Sequence, residues 1–160
     1  GDQIRIDETL DMPSAYGIFA FGVLPVGDVR LKRAFDMSVV RLSHGIAVGG
    51  IARYEGDNYY REHAEAAGNP WIVTTLWYAE YLIASSRNEH ELQRVKDIFK
   101  WTLKYALSSG VLTEQLDPRT GAHVSAAPLC WSHAAYVNAV VRYLNRLEEL
   151  GLCDLCNPVA

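Results

Sequence analysis

The sequence predicts an all-α fold in which helices pair as antiparallel hairpins and inner helices alternate with outer ones. Five segments carry apolar residues at helical spacing, and strand-like alternation is limited to a short piece near Ile4–Ile6. The segments also alternate between apolar on nearly all sides and charged on one face. We treat residues 1–160 as a single segment, which is one domain or part of a larger one.

The first two predicted helices form the first hairpin. The stretch from Asp11 to about Phe21 contains the apolar run YGIFAFG and predicts an inner helix. The segment from Asp28 to about His44 has an apolar stripe and a charged face, which predicts an outer helix. Residues 22–27 form a short connection between them.

Three further helices follow along the chain. The third runs from Pro70 to about Ser85, with Asn69 predicted as its N-cap and Pro70 as its first helical residue. The fourth runs from Asn88 or Glu89 to Ser108, is amphipathic, and is followed by Gly110, which is placed to end it. The fifth runs from Pro128 to Leu150. The third and fifth are predicted inner helices and the fourth an outer one.

Two long connections, residues 45–69 and 109–128, are predicted to lie at the same end of the molecule. Every second connection in a chain of antiparallel hairpins returns to one end, and residues 1–10 join the two loops there. Long loops in a compact domain are usually functional or disordered, and the Trp, Tyr, Arg and Glu content of these loops argues against disorder. We therefore expect a functional face at this end.

The composition excludes several classes of function. The formal net charge of -4 argues against nucleic-acid binding, and no apolar run approaches the roughly 18–20 residues of a membrane span. The five histidines have no ligand-like spacing, so neither a metal nor another cofactor is predicted. Three cysteines form no matched pairs, and the CDLC sequence that contains Cys153 and Cys156 is interpreted as two incidental thiols. This cysteine usage favours a cytoplasmic location.

The first long loop holds GGIARYEGDNYY, residues 49–60, followed by GNPW, residues 68–71. Arg53 offers a planar fork of donors for two sugar hydroxyls or a carboxylate, and Asp57 accepts hydrogen bonds from hydroxyls. Gly49 and Gly50 allow the backbone to approach a ligand. Three side chains offer stacking faces: Tyr54, Tyr59 and Trp71. The alternative interpretation is a surface loop held by an Arg–Asp pair.

The second long loop holds Glu114, a candidate general base acting on a water molecule. Thr113 and Gln115 are placed to orient or solvate its carboxylate, although a solvent-exposed loop glutamate is the alternative. The following DPRTG sequence predicts a turn. Trp131 and His133 open the last helix from the same face, and we expect a structural role for His133.

The sequences ARYEGDNYY…GNPW and GVLTEQLDPRTGAHVSAAPLCWSHA resemble motifs of glycoside hydrolase family 15, the glucoamylase family, in its bacterial and archaeal branch. DETLDMPSAYGIFAFGVLPVGDVR is similar to the stretch that precedes these motifs, so the resemblance runs from Asp7 to about Leu147. It implies an (α/α)6 toroid with a pocket at one end and inverting hydrolysis of α-linked glucosides from a non-reducing end. REHAEAA, residues 61–67, looks like an insertion that reshapes the rim of the site.

On this resemblance Glu114 matches the general base and Arg53 matches an arginine that grips the terminal sugar. Three aromatic residues match the pocket wall: Tyr59, Trp71 and Trp131. The general acid of the family lies in a separate W-E-x-R-like motif that this sequence lacks, and Glu8 has the wrong context. Inversion requires two carboxyl groups roughly 6.5–9.5 Å apart.

The resemblance therefore implies the C-terminal half of a glucoamylase-like α-glucoside hydrolase, inactive alone. Its partners would be the missing N-terminal half and an α-glucan or other α-glucoside substrate. Two further functions stay open, a non-catalytic carbohydrate-binding or regulatory module on the same fold, and a helical-repeat interaction module without a sugar site. The Glu114–Gln115 pair favours the enzyme, because a pure binder does not need a water-activating carboxylate. The linkage that is cleaved, α-1,4, α-1,6 or that of trehalose, stays open.

Overall fold

The computed structural model describes residues 6–61 and 63–153, and its regular structure is dominated by five helices. Their bounds are α1 (Met12–Ala20), α2 (Val29–Leu42), α3 (Ile72–Ser85), α4 (Glu89–Lys104) and α5 (Cys130–Glu149). The prediction of five helices in an all-α fold is confirmed. Of the possible strand near Ile4–Ile6, residues 4 and 5 lie outside the described residues, and Ile6 is not in a strand.

Helix α3 lies at the centre of the described structure and contacts α1, α4 and α5. It is buried on nearly all sides, as its apolar sequence predicts, whereas α2 and α4 bury one stripe each. The α2 stripe includes Phe35, whose ring stacks on Tyr81 of α3 with centroids 3.9 Å apart. The inner helix α3 therefore packs beside the inner helices α1 and α5. The outer helices α2 and α4 pack against α1 and α3, respectively.

Four two-residue strands join the long loops in one antiparallel sheet of order β1-β2-β3-β4. They are β1 (Ile51–Ala52), β2 (Pro70–Trp71), β3 (Gln115–Leu116) and β4 (His123–Val124). Because β1 lies in the first long loop, β2 directly follows that loop, and β3 and β4 lie in the second, the prediction that both loops share one end is confirmed. The N-terminal segment joins them there, since Asp11 pairs with Tyr54 and the Met12 N–H donates to the Arg53 carbonyl at 3.0 Å.

The sheet also corrects the predicted start of the third helix. Pro70 and Trp71 pair with Ala52 and Ile51 as strand residues, so α3 begins at Ile72. Asn69 is not an N-cap, and its side chain instead donates hydrogen bonds to Tyr60 and Gln115 in the two long loops. Hydroxyl groups of α3 hold the neighbouring strand, because Thr75 Oγ1 accepts the Ile51 N–H at 3.0 Å and Thr74 Oγ1 donates to the Ile51 carbonyl at 2.7 Å.

The end of α4 differs from the prediction as well. The helix ends at Lys104, four residues before the predicted Ser108. Gly110 lies in the following turn, where its N–H donates to the Leu107 carbonyl at 2.7 Å and its φ angle is 81°. Gly110 therefore closes the turn after the helix rather than the helix itself.

The glycine pair at the start of β1 packs against protein and does not face a ligand. A Cβ atom on Gly50 would lie 2.5 Å from the Trp101 ring and 2.9 Å from Pro70 Cβ, and Gly49 also faces Trp101. The Trp101 indole N–H donates to the Val48 carbonyl at 2.9 Å, which fixes the ring there. The expectation that these glycines admit a ligand is therefore wrong, because the space beside them is filled by Trp101.

Two remaining observations concern the cysteines and the membrane prediction. Cys153 is disulfide-bonded, so the interpretation of the CDLC cysteines as two incidental thiols is wrong for this residue. The rest of CDLC, residues 154–156, lies outside the described residues. Within the described part of the chain, every helix is too short or too polar to cross a membrane.

Candidate active site

Arg53 directly follows β1 and lies among three aromatic rings. Its Cζ atom is 4.4 Å from the ring centroid of Trp71, 4.9 Å from that of Tyr54 and 5.6 Å from that of Tyr59. Cations at these distances from aromatic faces are attracted by the ring quadrupole. The rings therefore hold the guanidinium in one orientation, while part of the Arg53 side chain stays exposed.

Asp57 holds the same guanidinium from its edge. Arg53 Nε donates to Asp57 Oδ2 and Nη2 donates to Oδ1, both at 2.9 Å, and Oδ1 also accepts the Tyr59 N–H at 3.0 Å. Burial alone would lower the pKa of Arg53, but the hydrogen bonds and charge of Asp57 raise it. Asp57 is only 1% exposed. Its geometry therefore suits the positioning of Arg53, and the Arg–Asp pair of the alternative interpretation is present, with Asp57 buried and Arg53 partly exposed.

The predicted pocket aromatics differ in exposure. Tyr59 is 47% exposed, whereas Trp71 is 2% exposed and lies beneath Arg53. Tyr59 is supported by the neighbouring Tyr60, whose ring meets it edge-on at 4.8 Å. Tyr59 consequently offers a ring to a ligand, and Trp71 supports Arg53 from below.

Glu114 immediately precedes β3, and its backbone is held on both sides. Its N–H donates to the Ala126 carbonyl at 2.9 Å, and its own carbonyl accepts the Ile72 N–H at 3.1 Å. The carboxylate is half-buried and accepts a hydrogen bond from Gln115 Nε2 at 3.3 Å. Within the described residues no salt bridge involves Glu114. This setting is compatible with the expected role of Glu114 as a general base, which stays a prediction.

Gln115 is fully buried, and its amide connects several loop residues. Nε2 is 3.3 Å from Glu114 Oε2 and 3.3 Å from Ser125 Oγ, while Oε1 accepts from Asn69 Nδ2 at 3.0 Å. The expectation that Gln115 orients Glu114 is thus consistent with a direct contact. Thr113 behaves differently, because its hydroxyl lies near the carbonyl oxygens of residues 124 and 126 rather than at the carboxylate.

The start of α5 anchors the second loop and exposes one aromatic ring. Trp131 is 52% exposed and packs edge-on against Trp77, with centroids 5.3 Å apart. His133 Nε2 accepts the Leu112 N–H at 3.0 Å, and Ser132 Oγ donates to the Thr113 carbonyl at 2.8 Å. The structural role expected for His133 is confirmed, since it fixes the loop just before Glu114.

The inserted-looking segment, of which residues 61 and 63–67 are described, contacts the predicted turn at residues 117–121. His63 Nε2 is 3.1 Å from Asp117 Oδ2, and Glu65 forms an ion pair with Arg119. Burial alone would raise the pKa of Asp117, but donors from Thr120, together with the Arg119 N–H and His63, lower it to about 2. The segment therefore links the first long loop to the turn in the second long loop.

One buried polar group was missed by the sequence reasoning. Glu80 of α3 is 1% exposed, accepts from the Tyr16 hydroxyl at 2.9 Å and lies 3.3 Å from Arg142 Nε. Burial and the adjacent Glu80 charge raise the pKa of Tyr16 well above its usual value. This triad connects α1, α3 and α5, and Tyr16 also stacks on Trp77 at 4.6 Å. The available signal was that Glu80 is the only charged residue in the α3 sequence.

A cavity of about 660 Å³ lies away from these residues, between α2, α3 and α4. Its lining includes Lys32, Tyr78, Arg87 and Arg94, and none of the predicted site residues contributes to it. The candidate site residues therefore lie outside this cavity.

Comparisons with known proteins agree with the sequence motifs. The family model described as "Glycosyl hydrolases family 15" matches residues 88–141. An uncharacterized glycosyl hydrolase of Methanocaldococcus jannaschii is 30% identical in an alignment of 141 residues that covers 82% of this chain and 22% of that protein. A trehalase of Mycolicibacterium smegmatis is 30% identical over 127 residues, 79% of this chain and 18% of that protein. The chain thus spans about a fifth of the length of the curated relatives that it matches.

Solved structures show the same fold. A wild-type glycosidase superposes with a TM-score of 0.67 at 22% sequence identity, over 91% of this chain and 37% of that chain. A glucoamylase of Hormoconis resinae gives a TM-score of 0.66 at 19% identity, over 91% of this chain and 34% of that chain. The arrangement of inner and outer helices is therefore part of the (α/α)6 toroid of glucoamylase-type proteins. The match of residues 88–141 to the family model and the similarity to these relatives therefore liken the chain to a part of the proteins of glycosyl hydrolase family 15.

Proposed function

We propose that this chain is the C-terminal segment of the catalytic domain of an α-glucoside hydrolase, with Glu114 as its general base. The observation that carries the proposal is the setting of the Glu114 carboxylate. Its backbone is hydrogen-bonded on both sides, its carboxylate accepts from Gln115, and it belongs to the same small sheet region as Arg53. The similarity to glycosyl hydrolases of family 15 supports a carbohydrate as the substrate.

In the proposed reaction Glu114 takes a proton from a water molecule as the water oxygen attacks the anomeric carbon. The bond between that carbon and the leaving oxygen breaks on the opposite side, and a general acid protonates the leaving oxygen. The sugar is released with inverted configuration because one displacement occurs. The general acid has no match in this sequence, and we assign it to the N-terminal half of the catalytic domain.

Arg53 is proposed to bind hydroxyl groups of the terminal sugar. Its bidentate pairing with Asp57 and its three ring contacts support this role, because a rigid donor fork positions a substrate without a large loss of side-chain entropy. Tyr59 and Trp131 are proposed to contact the sugar rings, since both present exposed aromatic surface. Tyr54 and Trp71 support Arg53 through their rings.

The substrate class is proposed to be α-linked glucosides. The matched proteins carry the names trehalase and glucoamylase, so trehalose and α-1,4-linked or α-1,6-linked glucose oligomers are the compounds to compare. The proposed N-terminal half would complete the pocket with its own loops. The isolated 160-residue chain is accordingly expected to release no glucose, and robust hydrolysis by it would contradict the assignment of the acid to another segment.

The test compares the longest natural polypeptide that contains this chain with its Glu114→Gln variant. Glucose release is measured from maltooligosaccharides, isomaltose and trehalose. Removal of the base while the shape is kept is expected to lower kcat by roughly 10²–10⁴-fold. The matched control is Glu89→Gln, an exposed carboxylate on α4, which should leave kcat unchanged.

Near-normal turnover by Glu114→Gln would refute the role of this residue. If neither protein releases glucose but the wild type still binds these sugars in calorimetry, the hydrolase assignment fails and a carbohydrate-binding module replaces it.

A further inference from the structure

Asn69 is a buried residue that contacts both long loops of the proposed site. It is 2% exposed, and its Nδ2 group donates to the Tyr60 carbonyl at 2.6 Å and to Gln115 Oε1 at 3.0 Å. The side-chain amide of asparagine carries two N–H donors on this nitrogen. Both donors are therefore directed at named acceptors, one in each loop.

The bond from Asn69 decides which way the Gln115 amide points. An amide has an acceptor end and a donor end, so donation to Oε1 leaves Nε2 directed at Glu114 and Ser125. A flipped amide would bring two NH₂ groups together at Asn69 and a carbonyl oxygen against the Glu114 carboxylate. Because Gln115 is fully buried, these unsatisfied groups would lack water as an alternative partner.

The bond from Asn69 to Tyr60 also supports the first loop. Tyr60 has a φ angle of 53°, a left-handed conformation that is uncommon for a residue with a side chain. Its ring meets Tyr59 edge-on, and Tyr59 donates its N–H to Asp57, the partner of Arg53. Asn69 thus stands between the segment that holds Arg53 and the segment that holds Glu114.

We propose that Asn69 is a positioning residue that acts through Gln115. It keeps an N–H donor rather than a carbonyl oxygen directed at the Glu114 carboxylate, while it holds the backbone of Tyr60, whose ring contacts that of Tyr59. The Gln115 N–H donor stabilises the negative charge of the Glu114 carboxylate, whereas a Gln115 carbonyl oxygen in the same place would repel that charge. The catalytic consequence rests on the proposed function, whereas the orientation of the amide does not.

The orientation is tested on the full 160-residue chain by Asn69→Asp, which keeps the size of the side chain and removes both donors. The readout is the pH titration of the ¹⁵N-labelled Gln115 side-chain amide in NMR spectra. In the wild type its resonances should follow the ionisation of Glu114 and stop doing so in Glu114→Gln. In Asn69→Asp we expect this response to be lost, because the amide turns its NH₂ group toward the new carboxylate.

The catalytic consequence is tested on the longest natural polypeptide that contains the chain. Asn69→Asp should move the acidic limb of the kcat–pH profile to higher pH and lower kcat by about tenfold, with a smaller change in KM. The control Asn138→Asp lies on an exposed face of α5 and should leave the profile unchanged. Added to Gln115→Met, which has no amide, the uncharged change Asn69→Ala should cause no further shift, because both changes act through one hydrogen bond.

A folded Asn69→Asp protein whose Gln115 amide still follows Glu114 would overturn the proposal, as would an unchanged acidic limb in an active enzyme. If Asn69→Asp does not fold, as judged by circular dichroism, Asn69→Ala takes its place. It adds no charge and should shift the profile in the same direction. Should Glu114→Gln keep full activity, the proposed function fails, but the NMR titration still decides the orientation of the amide.

Discussion

The contact between Gly50 and Trp101 leads to a quantitative prediction for Gly50→Ala. Gly50 has a φ angle of 90°, and an alanine Cβ would lie 2.5 Å from Trp101 Cζ2 and 2.9 Å from Pro70 Cβ. The left-handed backbone strains an L-residue by about 1–2 kcal/mol. Overpacking against a fixed ring adds about 1–3 kcal/mol. The expected loss is therefore about 2–5 kcal/mol of the free energy of unfolding.

Gly110→Ala is the matched control for the backbone term. Gly110 has a similar φ angle of 81°, but a Cβ at this position meets no atom within 4 Å. It should therefore lose only about 1–2 kcal/mol. The difference between the two variants isolates the steric contact with Trp101 and Pro70.

Urea denaturation of the purified chain, followed by circular dichroism, measures both variants by linear extrapolation. Domains are typically stable by only about 5–15 kcal/mol, so a loss at the upper end of the expected range would leave Gly50→Ala partly unfolded. The reasoning is refuted if Gly50→Ala is no less stable than Gly110→Ala. Recovery of stability when Trp101 is shortened to leucine in the Gly50→Ala background would identify the ring as the source of the loss.

Two further predictions concern residues of the two long loops. Arg53→Lys keeps the positive charge but loses the planar fork of donors. In the longest natural polypeptide, kcat/KM should therefore fall by an amount equivalent to about 1.5–3 kcal/mol. The control Arg33→Lys, at an exposed position, should leave kcat/KM unchanged. Equal kinetics of the two variants would contradict the role of the fork. The folded-state pKa of Asp117 is lowered to about 2 from 3.8, so its stabilisation should be complete above about pH 4 and lost as the pH falls toward 2. Urea denaturation at several pH values should show this loss in the wild type and a smaller one in Asp117→Asn; identical pH slopes would count against it.

The helices were predictable because each carries its own signal. The apolar stripe of α2 and the nearly uninterrupted apolar sequence of α3 distinguish an outer from an inner helix without knowledge of any neighbour. The shared end of the two long loops was also predictable, because it depends only on hairpin connectivity. The two-residue strands were not, because they are too short to show a period of two.

The candidate site was predictable in its residue types and less so in its contacts. Arg53 and Glu114 could be named from the chemistry of their side chains and the resemblance of their motifs. The burial of Asp57 and Trp71, which packs both side chains against Arg53, depends on how the loop folds over the sheet. Glu80 was missed because its partners Tyr16 and Arg142 are more than sixty positions away in the chain.

Taken alone, the sequence determined the helical class, the alternation of inner and outer helices and the two long loops that hold the candidate site residues, because these follow from local periodicity, connectivity and side-chain type. Only the tertiary structure decided that Asn69 orients an amide instead of capping a helix, and that Gly50 accommodates Trp101 instead of a ligand. Both outcomes depend on atoms that are distant in sequence. Hydrogen bonds and steric contacts between such atoms exist only once the helices have brought the two loops to the same sheet.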